Sequence, residues 1–401
     1  MFIFIMVELT RYPVTIADKR YSVSFQEDEA HALAWQHVLQ FAHDRKSPVI
    51  CRCIGKAGIA LTVRHNGTRY SLAKIANTGH LHRPECRYHK ERTESSGRRF
   101  YMGEAITGKE SAYTVLSDIK FNQAPIPDHK EIAKTEKVAD LSILGLLHFI
   151  WSRASLNFWV NEWQRPESRV AWQISEAAKT IWLDDSPLAE RLVTLFEKDK
   201  AAPPLIEKAK TSQSRVLLLG EISKISDVAI PEHLTFTNSS TLGRIYLANG
   251  LWDRLVSRFP NEVEDWRKGE SVVALALCLP HETKNYLRCV DIALMSLGRR
   301  YIPVENQYER NLVDKLLAEK RSFSKPLRYD APKSAPLPSF ILSDTETRDT
   351  PLMVADTRKI SEKEIGRYVN AVFKLRYMWL WRLEEVYQTP NLPLPKDKDA
   401  E

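Results

Sequence analysis

Along residues 28–44, "DEAHALAWQHVLQFAHD", the apolar positions Ala32, Trp35, Val38, Leu39 and Ala42 recur every three or four residues, the period of one helix face. The period then changes. "VICRCIG", "IALTVRHNGTRYSLAKI" and "RRFYMG" read as short strands, and Asn66-Gly67 as the turn of a hairpin. From about residue 139 the helical period returns in "LSILGLLHFIWSRASLNFWVNEW" and "SPLAERLVTLFEK", the second with Ser186 as N-cap and Pro187 at the first helical position. "AAPPLIEKAKTSQS" reads as a linker, and "RVLLLGEIS" and "SVVALALCLP" as strands of a buried sheet.

In the last third, "VENQYERNLVDKLLAEK" predicts a helix and "SFSKPLRYD" an extended basic segment. "PSFIL" and "PLMVAD" predict a strand pair. "SEKEIGRYVNAVFKLRYMWLWRLEEV" predicts one long closing helix, capped by Ser361 with Glu364. The tail "QTPNLPLPKDKDAE" is proline-rich and charged, and is expected to fray.

These elements predict an α+β multidomain chain: a strand-helix cap (1–48), a zinc-stabilised β module (49–125), a helical layer (126–210), an α/β core segment (211–298), a nuclease-like domain (299–387) and a tail (388–401). A length of 401 residues agrees with two or three cores. The apolar fraction of 43% and charged fraction of 27% exclude wholesale disorder. A net charge of +7 favours an anionic partner through its phosphates. "MFIFIM" is too short for a signal peptide or a membrane span, so a cytoplasmic protein without membrane contact is expected.

Five cysteines without an export signal argue against a disulfide framework and leave reduced thiols or metal ligands. "CRC" at 51–53 and "HLHRPECRYH" at 80–89 offer three thiols and three imidazoles, the donors that zinc takes four at a time. The predicted ligands are Cys51, Cys53, His82 and Cys86, with His80 and His89 competing for the histidine position. The competing reading makes Cys51 and Cys53 small buried strand residues on one face. A closed site of this kind is structural, and it would present Arg52, Arg83, Arg87 and Lys90 to solvent. Cys278 and Cys289 lie in apolar runs and read as core; His281 stands at ligand spacing from Cys278, but no second pair accompanies them.

The order of elements after residue 300 is similar to that of metal-dependent nucleases of the restriction-enzyme type, whose carboxylates hold Mg²⁺ on a helix and two strands. Glu309 stands for the helical acid, but Ser339 and Met353 occupy the strand positions where acids are needed, so no catalytic residue is assigned and the site is vestigial. A rearranged active site using Glu309 with Asp344, Asp349 or Asp356 is the alternative. Arg299, Arg300, Arg310, Lys325 and Arg328, interleaved with Tyr301, Phe323 and Tyr329, join Arg87 and Lys90 as candidate nucleic-acid contacts. The competing reading is a solvated strand edge kept soluble by lysine. "LLLGEIS" lacks the lysine of a phosphate-binding loop, and no Ser/His/Asp constellation is legible.

Taken together, "CRC", "GHLHRPEC", "LSILGLLHFIWSRASLNFW", "RVLLLGEIS", "NQYERNLVDKLLAEKRSFSKPLRYD" and "LPSFILSDT" resemble the bacterial domain-of-unknown-function family 1173 over roughly residues 45–385. That family has three cysteines near its N-terminus and is found on conjugative and integrative elements. The resemblance implies Cys51, Cys53 and Cys86 as the family cysteines and a mobile-element or defence setting. The expected function is binding of DNA or RNA, together with other protein subunits, by a protein with structural zinc and an inactive nuclease-like domain. An active Mg-dependent nuclease and a protein-binding scaffold are the rivals.

Overall fold

A computed structural model of the chain describes residues 11–395, except 54, 56–57, 76–77, 80–81, 83–85, 91–94, 102–104, 110–111, 120, 122–139, 160–164, 184, 197–201, 225–230, 239–241, 243, 333, 346–348, 376 and 386–387. It divides into two compact units, residues 1–93 with 395–401, and residues 94–394. His80 and Arg83 fall outside the described residues.

In the first unit, Val14–Ile16, Lys19–Tyr21, Val49–Cys51, Ile59–Asn66 and Arg69–Lys74 form one antiparallel sheet. Val14–Ile16 pairs directly with Val49–Cys51, so the predicted cap and β module share one sheet. The hairpin lies where expected but its turn falls one residue later, at Gly67-Thr68, with Asn66 paired to Arg69 and Gly67 at φ +62. The helix Ala32–Asp44 buries Trp35, Leu39 and Ala42, the face its period marks. The unit's core is one small cluster built on Val14, Ile16, Trp35, Leu39 and Cys51.

The second unit carries three sheets. The six-stranded one runs in the order Leu192–Thr194, Val216–Glu221, Val272–Pro280, Tyr286–Ser296, Arg244–Leu247, His233–Leu234. Its central strands are covered on both faces, which is why "VLLLG" and "VVALALC" show no alternation. Cys278 and Cys289 stand opposite each other there, fully buried, as expected of core residues. A four-stranded sheet joins Ser186–Pro187, Ile181–Leu183, Ala112–Val115 and Ile106–Lys109. A five-stranded one joins Trp379–Arg382, Thr350–Ala355, Phe340–Leu342, Phe323–Ser324 and Phe158–Trp159. Among the described residues no helix is long and apolar enough to cross a membrane.

Four expectations are corrected. The described part of "SPLAERLVTLFEK" forms no α-helix: Ser186 and Pro187 lie in a strand, Leu188–Glu190 makes a single 3-10 turn, and Leu192–Thr194 is a strand pairing in parallel with Leu217–Leu219. The expected linker holds the helix Ala202–Thr211, whose Pro203 and Pro204 sit in the first turn, where amide donors have no helical acceptor. "RRFYMG" begins with a short 3-10 turn, Gly97–Phe100, whose Gly97 is pressed so closely on Arg328 that a Cβ there would lie 1.6 Å from its carbonyl oxygen. The closing helix stops at Phe373, and Trp379–Arg382 becomes a strand parallel to Leu352–Ala355. The capping box of Ser361 with Glu364 is present as expected.

The core of this unit also holds charge. Lys325 Nζ lies 2.8 and 2.9 Å from the two oxygens of Glu309 and 3.3 Å from Glu305; Lys325 is 2% and Glu309 3% exposed. Arg328 Nε donates to Glu305 at 3.0 Å, and the Glu305 amide donates to Glu309. Burial pushes Glu309 up, against the opposing pull of Lys325. Burial works against Glu305 too, but Lys325 and Arg328 together outweigh it and hold that carboxyl down to about 2.

Beside this group, His148 accepts the Tyr329 amide proton at Nδ1, 2.7 Å away. Burial, reinforced by Lys325 and Arg328 and opposed by Glu305, holds His148 down to about 3. An unfolded histidine titrates near about 6.5, so between those values only the unfolded chain takes up the proton. The stability contributed by neutral His148 is therefore complete above the unfolded value and is lost as pH falls towards about 3. His148→Asn, which keeps an acceptor for Tyr329, is expected to unfold in urea with a weaker dependence on pH between 7 and 5; the same dependence as the parent would contradict this.

Candidate metal centre

Cys51 ends the strand Val49–Cys51, and Cys53 follows in the turn beyond it. The chain then returns through Gly58 to the next strand. Gly58 has φ +56, and a Cβ there would lie 2.2 Å from the Ile50 side chain, so the turn after the two cysteines needs glycine. His82 and Cys86 stand on the segment after the hairpin. Backbone bonds shape it: His82 and Lys90 both donate to the Gly79 carbonyl, and His89 donates to that of Cys86.

One ligand atom from each of Cys51, Cys53, His82 and Cys86 lies within 4.8 Å of all the others, and all four residues are buried. Cys51 and Cys86 Sγ are 3.8 Å apart; His82 Nδ1 is 3.4 Å from Cys53 Sγ and 3.6 Å from Cys86 Sγ. A tetrahedral ion with bonds of about 2.3 Å to sulfur and about 2.05 Å to nitrogen sets its ligands about 3.8 Å apart for two sulfurs and about 3.5 Å for sulfur and nitrogen. The observed spacings match those edges. They do not suit a disulfide, whose sulfurs lie about 2.05 Å apart.

Contact with Cys53 pushes the Cys51 thiol up to about 12, and contact with Cys51 and Cys53 raises Cys86 as well. Three crowded thiols oppose one another's ionisation, whereas a divalent cation at their centre favours three thiolates. The cluster supplies four protein ligands and is closed, so it is compatible with a structural metal and offers no position to a substrate. Of the competing histidines, His89 turns its Nδ1 to the His82 carbonyl, 3.0 Å away, and stands outside the four.

The candidate nucleic-acid contacts separate. Lys90 is exposed and Arg87 half-buried beside Tyr88, in the segment that carries His82 and Cys86. Arg299 and Arg300 are exposed on a short turn, with Arg300 over Trp159. Arg310 is buried against Asp265 at 2.8 Å, and Lys325 is enclosed by its two glutamates. Arg328 is engaged with Glu305 and with the Pro332 and Ala335 carbonyls.

Glu309, Ser339 and Met353, the residues expected to form a vestigial site, are all buried. Glu309 pairs with Lys325, Met353 packs in a cluster with Ile365 and Tyr368, and the Ser339 hydroxyl accepts the Val354 amide proton. Asp344 holds Arg321 through two bonds, and Asp356 pairs with Arg358.

One signal present in the sequence was missed: the charge is unevenly spread. Residues 1–93 carry fourteen Lys and Arg against eight Asp and Glu, while the remainder carries 44 against 43.

The family model described as "Protein of unknown function (DUF1173)" matches residues 21–384, and the chain belongs to that family. No curated protein and no solved structure matches the chain.

Proposed function

We propose that this family member binds nucleic acid through its N-terminal unit, which a structural zinc ion clamps. The observation that supports this most is the coincidence of the closed Cys₃His cluster with the basic excess: of a net charge of +7, residues 1–93 hold +6. Three sulfurs with one imidazole in a tetrahedron suit zinc among the common ions. Phosphates would meet the cations that the clamped fold displays.

The second unit is assigned no cleavage. Glu309 is neutralised in the core by Lys325, and a hard Mg²⁺ needs oxygen ligands that water and phosphate can share. Its role in this reading is assembly with other subunits on a nucleoprotein complex, in the mobile-element or defence setting of the resemblance. Trp172 and Trp182, exposed on a helix and on a neighbouring strand, suit protein contacts.

The test is binding of labelled single- and double-stranded DNA and RNA, with Mg²⁺, over a salt series. Affinity should fall steeply with salt, without products. Absence of binding would overturn the proposal, and products lost in Glu309→Gln would replace it with the nuclease.

A further inference from the structure

A groove of about 850 Å³ lies in the N-terminal unit, between the C-terminal end of the helix Ala32–Asp44 and the strand Ile59–Asn66. It exists because the strands differ in length. Within the strand Ile59–Asn66, Val49–Cys51 reaches only Ile59–Leu61, so Thr62–Asn66 is bordered by a strand on one side, Arg69–Ala73, and by none among the described residues on the other. A strand edge of this kind presents backbone donors and acceptors to whatever lies beside it.

The groove's lining includes four titratable side chains, His43, Lys46, Arg64 and Lys74; the Asp44 carboxylate stands beside the lining, 3.2 Å from His43 Nδ1. Lys46 and Arg64 are exposed and meet no acid among the described residues. From residue 30 to 93 there are eleven Lys and Arg against three Asp and Glu, so the surroundings reinforce the lining. At its rim stands a set of rings: His65 stacks on Tyr70 at 4.3 Å and 14°, and His43 lies 5.3 Å from Tyr70.

We infer that this groove is the binding track for a single strand of DNA or RNA, with phosphates on Lys46, Arg64 and Lys74 and a base against the His43, Tyr70 and His65 rings. This deepens the proposed function and rests on it. A duplex keeps its base faces stacked inside, whereas an unpaired base offers its face to a ring, so the neighbouring rings favour a single strand. An acidic peptide would use the cations and the strand edge but not the rings.

The test uses the full-length, metal-loaded chain and a fluorescent oligothymidylate about 20 nucleotides long, its duplex with oligoadenylate, and polyglutamate as competitor. The parent should prefer the single strand. Lys46→Glu with Arg64→Glu should weaken it by about tenfold or more near 0.15 M salt and make the slope of log affinity on log salt shallower by about 1.4, the share of two phosphate contacts. Lys46→Gln with Arg64→Gln guards against a folding defect, and metal content is followed throughout. Lys268→Glu with Lys363→Glu, both exposed in the other unit, controls for net charge and should change little.

Binding by the parent that both groove variants retain would overturn the groove and leave the proposed function standing. No binding by the parent to any nucleic acid would overturn both. Preference for the duplex, or displacement by polyglutamate at equal charge, would refute the single strand as ligand.

Discussion

Cys51→Ser is expected to release the metal and to unfold the N-terminal unit while the second unit stays folded. A structural zinc site of this type contributes about 10 kcal/mol or more of apparent binding free energy at neutral pH, and in a small metal-dependent domain that is folding free energy. The apolar core here is small and includes three of the ligands, Cys51, Cys53 and Cys86, so losing the ion also loosens the packing around Trp35 and Leu39. Cys53→Ser, Cys86→Ser and His82→Ala should behave alike. His89→Ala should retain the metal, since His89 lies outside the four. Hydrogen exchange reads the outcome by segment: amides of Val14–Ile16, Val49–Cys51 and Ile59–Asn66 should lose protection, and those of Val216–Glu221 and Val272–Pro280 should keep it. Uniform protection in Cys51→Ser would show that the module needs no clamp.

The second large effect lies in the buried charge cluster. Lys325→Ala leaves Glu309 and part of Glu305 without their cation, and removing one partner of a buried pair costs about 3–5 kcal/mol. Pairing Lys325→Met with Glu309→Gln should recover much of that loss, because a neutral pair of similar volume carries no unbalanced charge. Urea unfolding followed by tryptophan fluorescence measures both. A Lys325→Ala protein within about 0.5 kcal/mol of the parent would place Lys325 outside the cluster and restore it as a candidate contact for phosphate.

That lysine shows where sequence reading stopped. In "SFSKPLRYD" it stands among basic and aromatic residues and reads as surface, while its acids lie 16 and 20 residues earlier, at Glu309 and Glu305. Only the packing of the helix Gln307–Ala318 against the extended segment brings them together. Arg310 was hidden in the same way, because its partner Asp265 lies 45 residues away.

The Cys51, Cys53, His82 and Cys86 cluster was legible because such donor chemistry is restricted to few residue types. Cys51, Cys53 and Cys86 are the three cysteines of the first 90 positions, and His82 stands four residues before Cys86. The strand Trp379–Arg382 was signalled too. Trp379 and Trp381 are buried and alternate with half-buried neighbours, a two-residue period that the long helical run before it concealed. Leu192–Thr194 was harder, since a three-residue strand buried throughout has no period to read.

The ion is what the account of the N-terminal unit rests on, and X-ray absorption at the zinc edge on the purified full-length chain tests it most directly, together with metal content. One zinc per chain is predicted, with three sulfur neighbours at about 2.3 Å and one nitrogen at about 2.0 Å. A chain that carries no metal, or a metal surrounded by oxygen and nitrogen alone, would contradict it.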